Sequence, residues 1–226
     1  MQDIFSLFDL WLLIINIVIL IILAILFWVK AFRKSEIESQ KWFSFCLGFF
    51  MLCFSLTRLF FFFSDLYKEE IWIEMTYGFI TLNFNFFWKL AALFGIGGLI
   101  FILFVLERYS VKITKYILTI IVTIGLILAI FFPVSPDLGF DARLMTYITV
   151  PLGVLGILSL YLYLMIKTPG EVRRKSLTAF IGILILFMGF MIDTALGQSL
   201  FGFDPGIIAT ILMIGGSIIF SIANLK

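Results

Sequence analysis

From its first residues the chain alternates long apolar stretches with short polar ones. The apolar stretches occupy 10–29, 42–63, 82–106, 113–132, 144–166, 177–196 and 205–223. Each is close to the roughly 20 residues that a helix needs to cross about 30 Å of hydrocarbon. A backbone in lipid must satisfy its own N–H and C=O groups, so spanning segments are helices or closed barrels. Barrel strands alternate apolar and polar residues over about ten positions, and none of the seven stretches does so. The pattern predicts an all-α polytopic membrane protein: a seven-transmembrane helix bundle forming a single domain over residues 1–226. The first stretch reads as a span and not as a cleaved leader, because no basic residue precedes it and no A-x-A site follows.

Small and polar positions predict which faces turn inward, since helices in lipid associate through close packing and hydrogen bonds. In the third span Ala91, Gly95 and Gly98 form one stripe, and Asn85, Lys89 and Glu107 lie opposite. That span is expected to have neighbours on both sides. Gly182, Gly189 and Asp193 share a face of the sixth span. Thr149, Gly153 and Gly156 share one of the fifth, where Pro151 predicts a kink. Cys46 and Cys53 are separated by about 10.5 Å of helical rise, too far for a disulfide, and read as small buried hydrophobes.

Composition agrees with a lipid solvent: 63% of residues are hydrophobic and 13% charged, against about 25% charged in soluble domains. The net charge of +2 is small, but its placement sets an orientation. Basic residues gather after the first span (Lys30, Arg33, Lys34, Lys41), the third (Arg108, Lys112, Lys115) and the fifth (Lys167, Arg173, Arg174, Lys175), and at Lys226. The alternate loops are poor in them. By the positive-inside rule the N-terminus is expected outside and the C-terminus in the cytoplasm, in the plasma membrane. No contiguous basic domain suggests nucleic acid.

Ionisable residues inside spans are costly and are functional candidates by default. Arg58, Lys89 and Asp193 fall at a similar depth in the outer half of the bilayer. With Asn85 they form a candidate ligand-binding set, in which two cations line an anion pocket and Asp193 is the counter-ion. The competing reading is an ion pair that fixes register, or basic chains snorkelling to the headgroups. Asn16 and Asn83 read as interhelical glue. Glu107 and Arg108, with Arg173 and Arg174, are candidates for a cytoplasmic switch or partner contact.

Glu107-Arg108-Tyr109, at the end of the third span, resembles the (D/E)RY triplet of G-protein-coupled receptors, which implies an arginine switch acting against the sixth helix. The resemblance covers these three residues. That family's CWxP and NPxxY motifs and its helix-3 cysteine are missing. The seven-span layout is also similar to the sensor regions of prokaryotic signalling proteins. A retinal protein needs a lysine within its last helix, which this chain lacks. The absence of histidine removes histidine-ligated haem and zinc. No cofactor or metal is therefore expected.

Three functions compete. A receptor- or sensor-like module, or a membrane subunit of a complex, fits best. Its expected partners are the lipid bilayer, a small extracellular ligand, and a cytoplasmic or membrane protein. A small-solute transporter, for anions among others, is the alternative, although no inverted repeat is visible. An intramembrane enzyme ranks third, because Asp193 and Glu107 are expected on opposite sides of the membrane and no other acid–base set converges.

Overall fold

The computed structural model describes residues 2–33, 37–68, 74–77, 80–111, 114–134, 141–194 and 206–225. Lys34, Lys112, Asp204 and Lys226 lie outside the described residues, as do Trp72 and Phe79. The described residues are all-α apart from one short hairpin. Among them seven α-helices follow in order: α1 (Gln2–Arg33), α2 (Glu38–Lys68), α3 (Phe84–Val105), α4 (Ile117–Phe131), α5 (Ala142–Lys167), α6 (Gly170–Ile192) and α7 (Gly206–Leu225). Strands β1 (Met75–Tyr77) and β2 (Ile80–Leu82) pair antiparallel just before α3.

Six of the helices are long and apolar enough to cross a bilayer, and α4, with 15 residues, is shorter. This is the fold of a polytopic helical membrane protein. Several helices outrun the apolar stretches that predicted them, because a helix stops at a cap or a breaker and not where hydrophobicity ends. The helix of α3 tightens its fate differently: residues Leu106–Ser110 widen into a π-helical turn, closed by Val111 N donating to Leu106 O at 2.8 Å.

The described residues fall into two compact units. The first comprises Met1–Gly48 and Ile157–Lys226. Its tightest packing joins α6 to α7. A Cβ added at Gly182 would strike the backbone of Phe220, and one at Gly216 would strike that of Leu186. One at Gly189 would sit 2.6 Å from Ala209 O. Gly182 and Gly189 on one helix, and Ala209 and Gly216 on the other, are each seven residues apart, so both backbones stay in contact over two turns. α1 buries a single stripe, Asn16, Leu20, Leu23, Ala24, Phe27 and Ala31. Many of its other apolar residues, Trp11 and Ile22 among them, are exposed, as a lipid-facing surface requires. Gly48 admits the Trp28 ring, whose Nε1 donates to Phe45 O at 3.3 Å.

The second unit is Phe49–Gly156. Here α2 and α3 run antiparallel. Gly98 meets Cys53 and Phe50, and Gly95 meets Thr57. Phenylalanines continue the contact: Phe49 stacks on Phe101 at 5.0 Å between centroids, Phe60 on Phe94 at 5.4 Å, and Phe87 lies among Phe60, Phe63 and Tyr67. Gly125 of α4 lies against the Thr149 side chain of α5, and Gly153 and Gly156 of α5 lie against Leu99 and Leu103 of α3. α3 thus has neighbours on more than one side, as its two non-lipid faces predicted. α5 continues as one helix through Pro151.

Candidate functional site

Two charges, Lys89 of α3 and Glu107 of the π-helical turn that follows it, are used on the two ends of α4. At the near end, Lys89 Nζ donates to Ile130 O at 2.7 Å and to Phe132 O at 3.0 Å, where α4 finishes. At the far end the Glu107 carboxylate, only 2% exposed, accepts from Leu118 N at 3.2 Å, Thr119 N at 2.9 Å and Thr119 Oγ1 at 2.5 Å. A helix leaves its first N–H and last C=O groups unpaired, with partial positive charge at its start and negative charge at its end. α4 cannot answer this itself. It has no acid in its first turn and no base in its last, and its N-cap, Tyr116, offers no side-chain bond. The antiparallel neighbour supplies an anion at one end and a cation at the other.

The turn that brings α4 back is strained. Lys115 (φ 46°) and Tyr116 (φ 65°) are both left-handed, a conformation costing a non-glycine residue about 1–2 kcal/mol. Stacking of Tyr116 on Phe104 at 5.9 Å and the three bonds to Glu107 hold it in place.

Where α3 and α5 begin, a second polar group forms. Asn83 caps α3, accepting from Phe86 N at 3.0 Å, and Ser64 Oγ donates to Phe84 O at 3.1 Å. Asp141, itself buried, caps α5 by accepting from Leu144 N at 2.8 Å. Arg143 then reaches across to α3. Its Nη2 donates to Asn85 Oδ1 at 3.0 Å, and its guanidinium carbon lies 5.6 Å from the Phe84 ring centre and 5.8 Å from that of Trp88. Trp88 in turn meets Tyr147 edge to face. Among the described residues no carboxylate pairs with Arg143, and its buried Nε has no hydrogen-bond partner. Arg143 is not among the residues that the sequence singles out as candidates. The available signal was its position, because a cation in a first turn opposes the helix dipole and needs another reason to be there.

The candidate ligand set divides accordingly. Asn85 joins Arg143, Lys89 joins the end of α4, and Arg58 is buried in α2 at 5% exposure, all in the second unit. Asp193 belongs to the first unit, where it is half-buried and its N–H closes α6 by donating to Gly189 O at 3.2 Å. Of the cytoplasmic candidates, Glu107 is committed to α4. Arg108 is exposed and lies over the Phe104 and Tyr109 rings. Arg173 and Arg174 are exposed in the first turns of α6, beside the Lys175–Glu171 pair at 2.9 Å.

In the first unit a lysine again closes a neighbour's helix. Lys30 Nζ donates to Asn224 O at 2.6 Å and Leu225 O at 3.0 Å, at the end of α7. Asn16 is fully buried, with no protein partner for either amide atom among the described residues. Among the described residues, no three His, Cys, Asp or Glu side chains gather as a metal would require.

No family model matches the chain, and neither a curated protein nor a solved structure is similar to it.

Proposed function

We propose that the chain is a receptor- or sensor-like seven-helix module, or the membrane subunit of a larger complex, with its N-terminus outside the plasma membrane and its C-terminus in the cytoplasm. The observation that carries this reading is the corner where α3 and α5 begin. There a guanidinium is held in position by Asn85 and two aromatic rings, with no carboxylate among the described residues to neutralise it. In the proposed orientation this corner faces outward and is the place for a small ligand, with Asn85 and Lys89 beside it. The exposed Arg173 and Arg174 then face the cytoplasm, where basic side chains can meet a partner or anionic lipid.

A transporter is favoured less. Many transport folds bind substrate where interrupted helices end near the bilayer midplane, whereas each of the six long helices here is continuous. Tags at the two termini, probed from each face of intact cells, test the orientation. Opposite sides are expected. Both on one side would mean that α4 does not cross, and the orientation would be withdrawn. Co-purification of a cytoplasmic protein that is lost in Arg173→Glu/Arg174→Glu tests the signalling part.

A further inference from the structure

We propose that Arg143, Asn85 and Lys89 bind the phosphate group of an anionic ligand. The proposal rests on the reading of this corner as the binding corner, and it adds the ligand's chemistry.

The argument is one of unmet charge. A half-buried guanidinium normally finds a carboxylate, since leaving a cation without one in a poorly hydrated place is costly. Arg143 instead gives one N–H to a neutral amide and packs against Phe84 and Trp88. These contacts fix its direction but leave its charge standing. Lys89 lies one turn beyond Asn85 on α3. It donates to two backbone carbonyls, and an ammonium has three N–H groups. Neither cation is paired with an acid among the described residues. Of the two carboxylates nearby in sequence, Asp141 is turned to the N-terminus of α5, and Asp137 lies outside the described residues.

A planar fork from one helix and a point charge from another suit a tetrahedral oxyanion, which can give two oxygens to the guanidinium and a third to the ammonium. A carboxylate has only two oxygens and would satisfy the fork alone. The phosphate can come from a lipid headgroup, because the corner lies at the end of two apolar helices, or from a free phosphate compound in water.

The full-length chain in maltoside detergent tests this by thermal unfolding, with two probes: inorganic phosphate, and phosphatidylglycerol added to the micelles. The wild-type midpoint is expected to rise with phosphatidylglycerol. A rise with inorganic phosphate as well identifies a free compound, and a rise with the lipid alone identifies a headgroup. In Arg143→Gln the apparent affinity for the effective probe should fall about tenfold or more, equivalent to about 1.4 kcal/mol. Arg143→Lys keeps the charge but loses the fork, and should also weaken binding; it serves if the glutamine variant does not fold. The control Arg33→Gln removes an exposed positive charge elsewhere and should leave the affinity unchanged. No shift with either probe overturns the proposal, as does an equal shift in wild type and both Arg143 variants, or an equal loss in the control. The terminal tags report separately: if they reverse the orientation while phosphate still binds through Arg143, the site stands and only its side of the membrane changes.

Discussion

At Glu107 three donors converge on one carboxylate, two of them backbone N–H groups that nothing else in α4 could satisfy. Its burial is tolerable because each oxygen is answered, in contrast to an isolated buried charge. Glu107→Ala should therefore destabilise the protein by about 2–3 kcal/mol, the cost of removing a charged acceptor and leaving buried donors unpaired. Glu107→Gln keeps one acceptor oxygen and should lose less. Thr119→Ala, which deletes only the hydroxyl bond, should cost about 1 kcal/mol. Unfolding in mixed micelles measures all three, and a neutral Glu107→Ala would remove Glu107 from this role. Arg108, exposed beside it, is predicted to be near-neutral in the same assay, so the two neighbours separate a structural charge from a free one.

Helix pairs carry the next set of consequences. On α7, Gly216 and Gly215 are adjacent, yet a Cβ at the first would enter the backbone of α6, whereas one at the second would meet nothing within 4 Å. Gly216→Ala should cost about 1–3 kcal/mol through overpacking, while Gly215→Ala should be neutral or slightly stabilising. If the two behaved alike, the α6–α7 contact would be misassigned. For α4, the ends held by Lys89 and Glu107 are far apart and share no partner, so their effects should add. A double-mutant cycle with Lys89→Met and Glu107→Gln should close within about 0.5 kcal/mol. A large coupling would mean that α4 responds as a single two-state element.

Much of α3 was legible before any coordinates, and the reason is periodicity. Periodicity puts Asn85 and Lys89 on one face and Gly95 and Gly98 on another, whereas Glu107 falls in the π-helical turn, which periodicity does not foresee. What those faces meet was not legible, because one helix's sequence carries no information about a neighbour's register. Nothing in its own helix shows that Lys89 also caps a neighbour; that follows from the position of Ile130 and Phe132. Arg143 was missed for a related reason: its partner Asn85 is 58 residues away, and no local rule links them. The hairpin before α3 was hidden by aromatic residues that suit a headgroup-level segment equally well.

On the scale of the whole molecule, apolar stretches defined a multi-pass fold, and the helices follow that plan. The exception is α4. At about 1.5 Å per residue its 15 residues rise only about 22 Å, and the ties to Lys89 and Glu107 prevent it from drifting toward either surface. Where α4 meets lipid, the leaflets must pinch inward to cover its isoleucines, at a cost of fractions of a kcal/mol per Å of mismatch. Because the six longer helices suit an ordinary bilayer, the deformation is local to α4, and Glu107→Ala should cost more stability as the acyl chains lengthen.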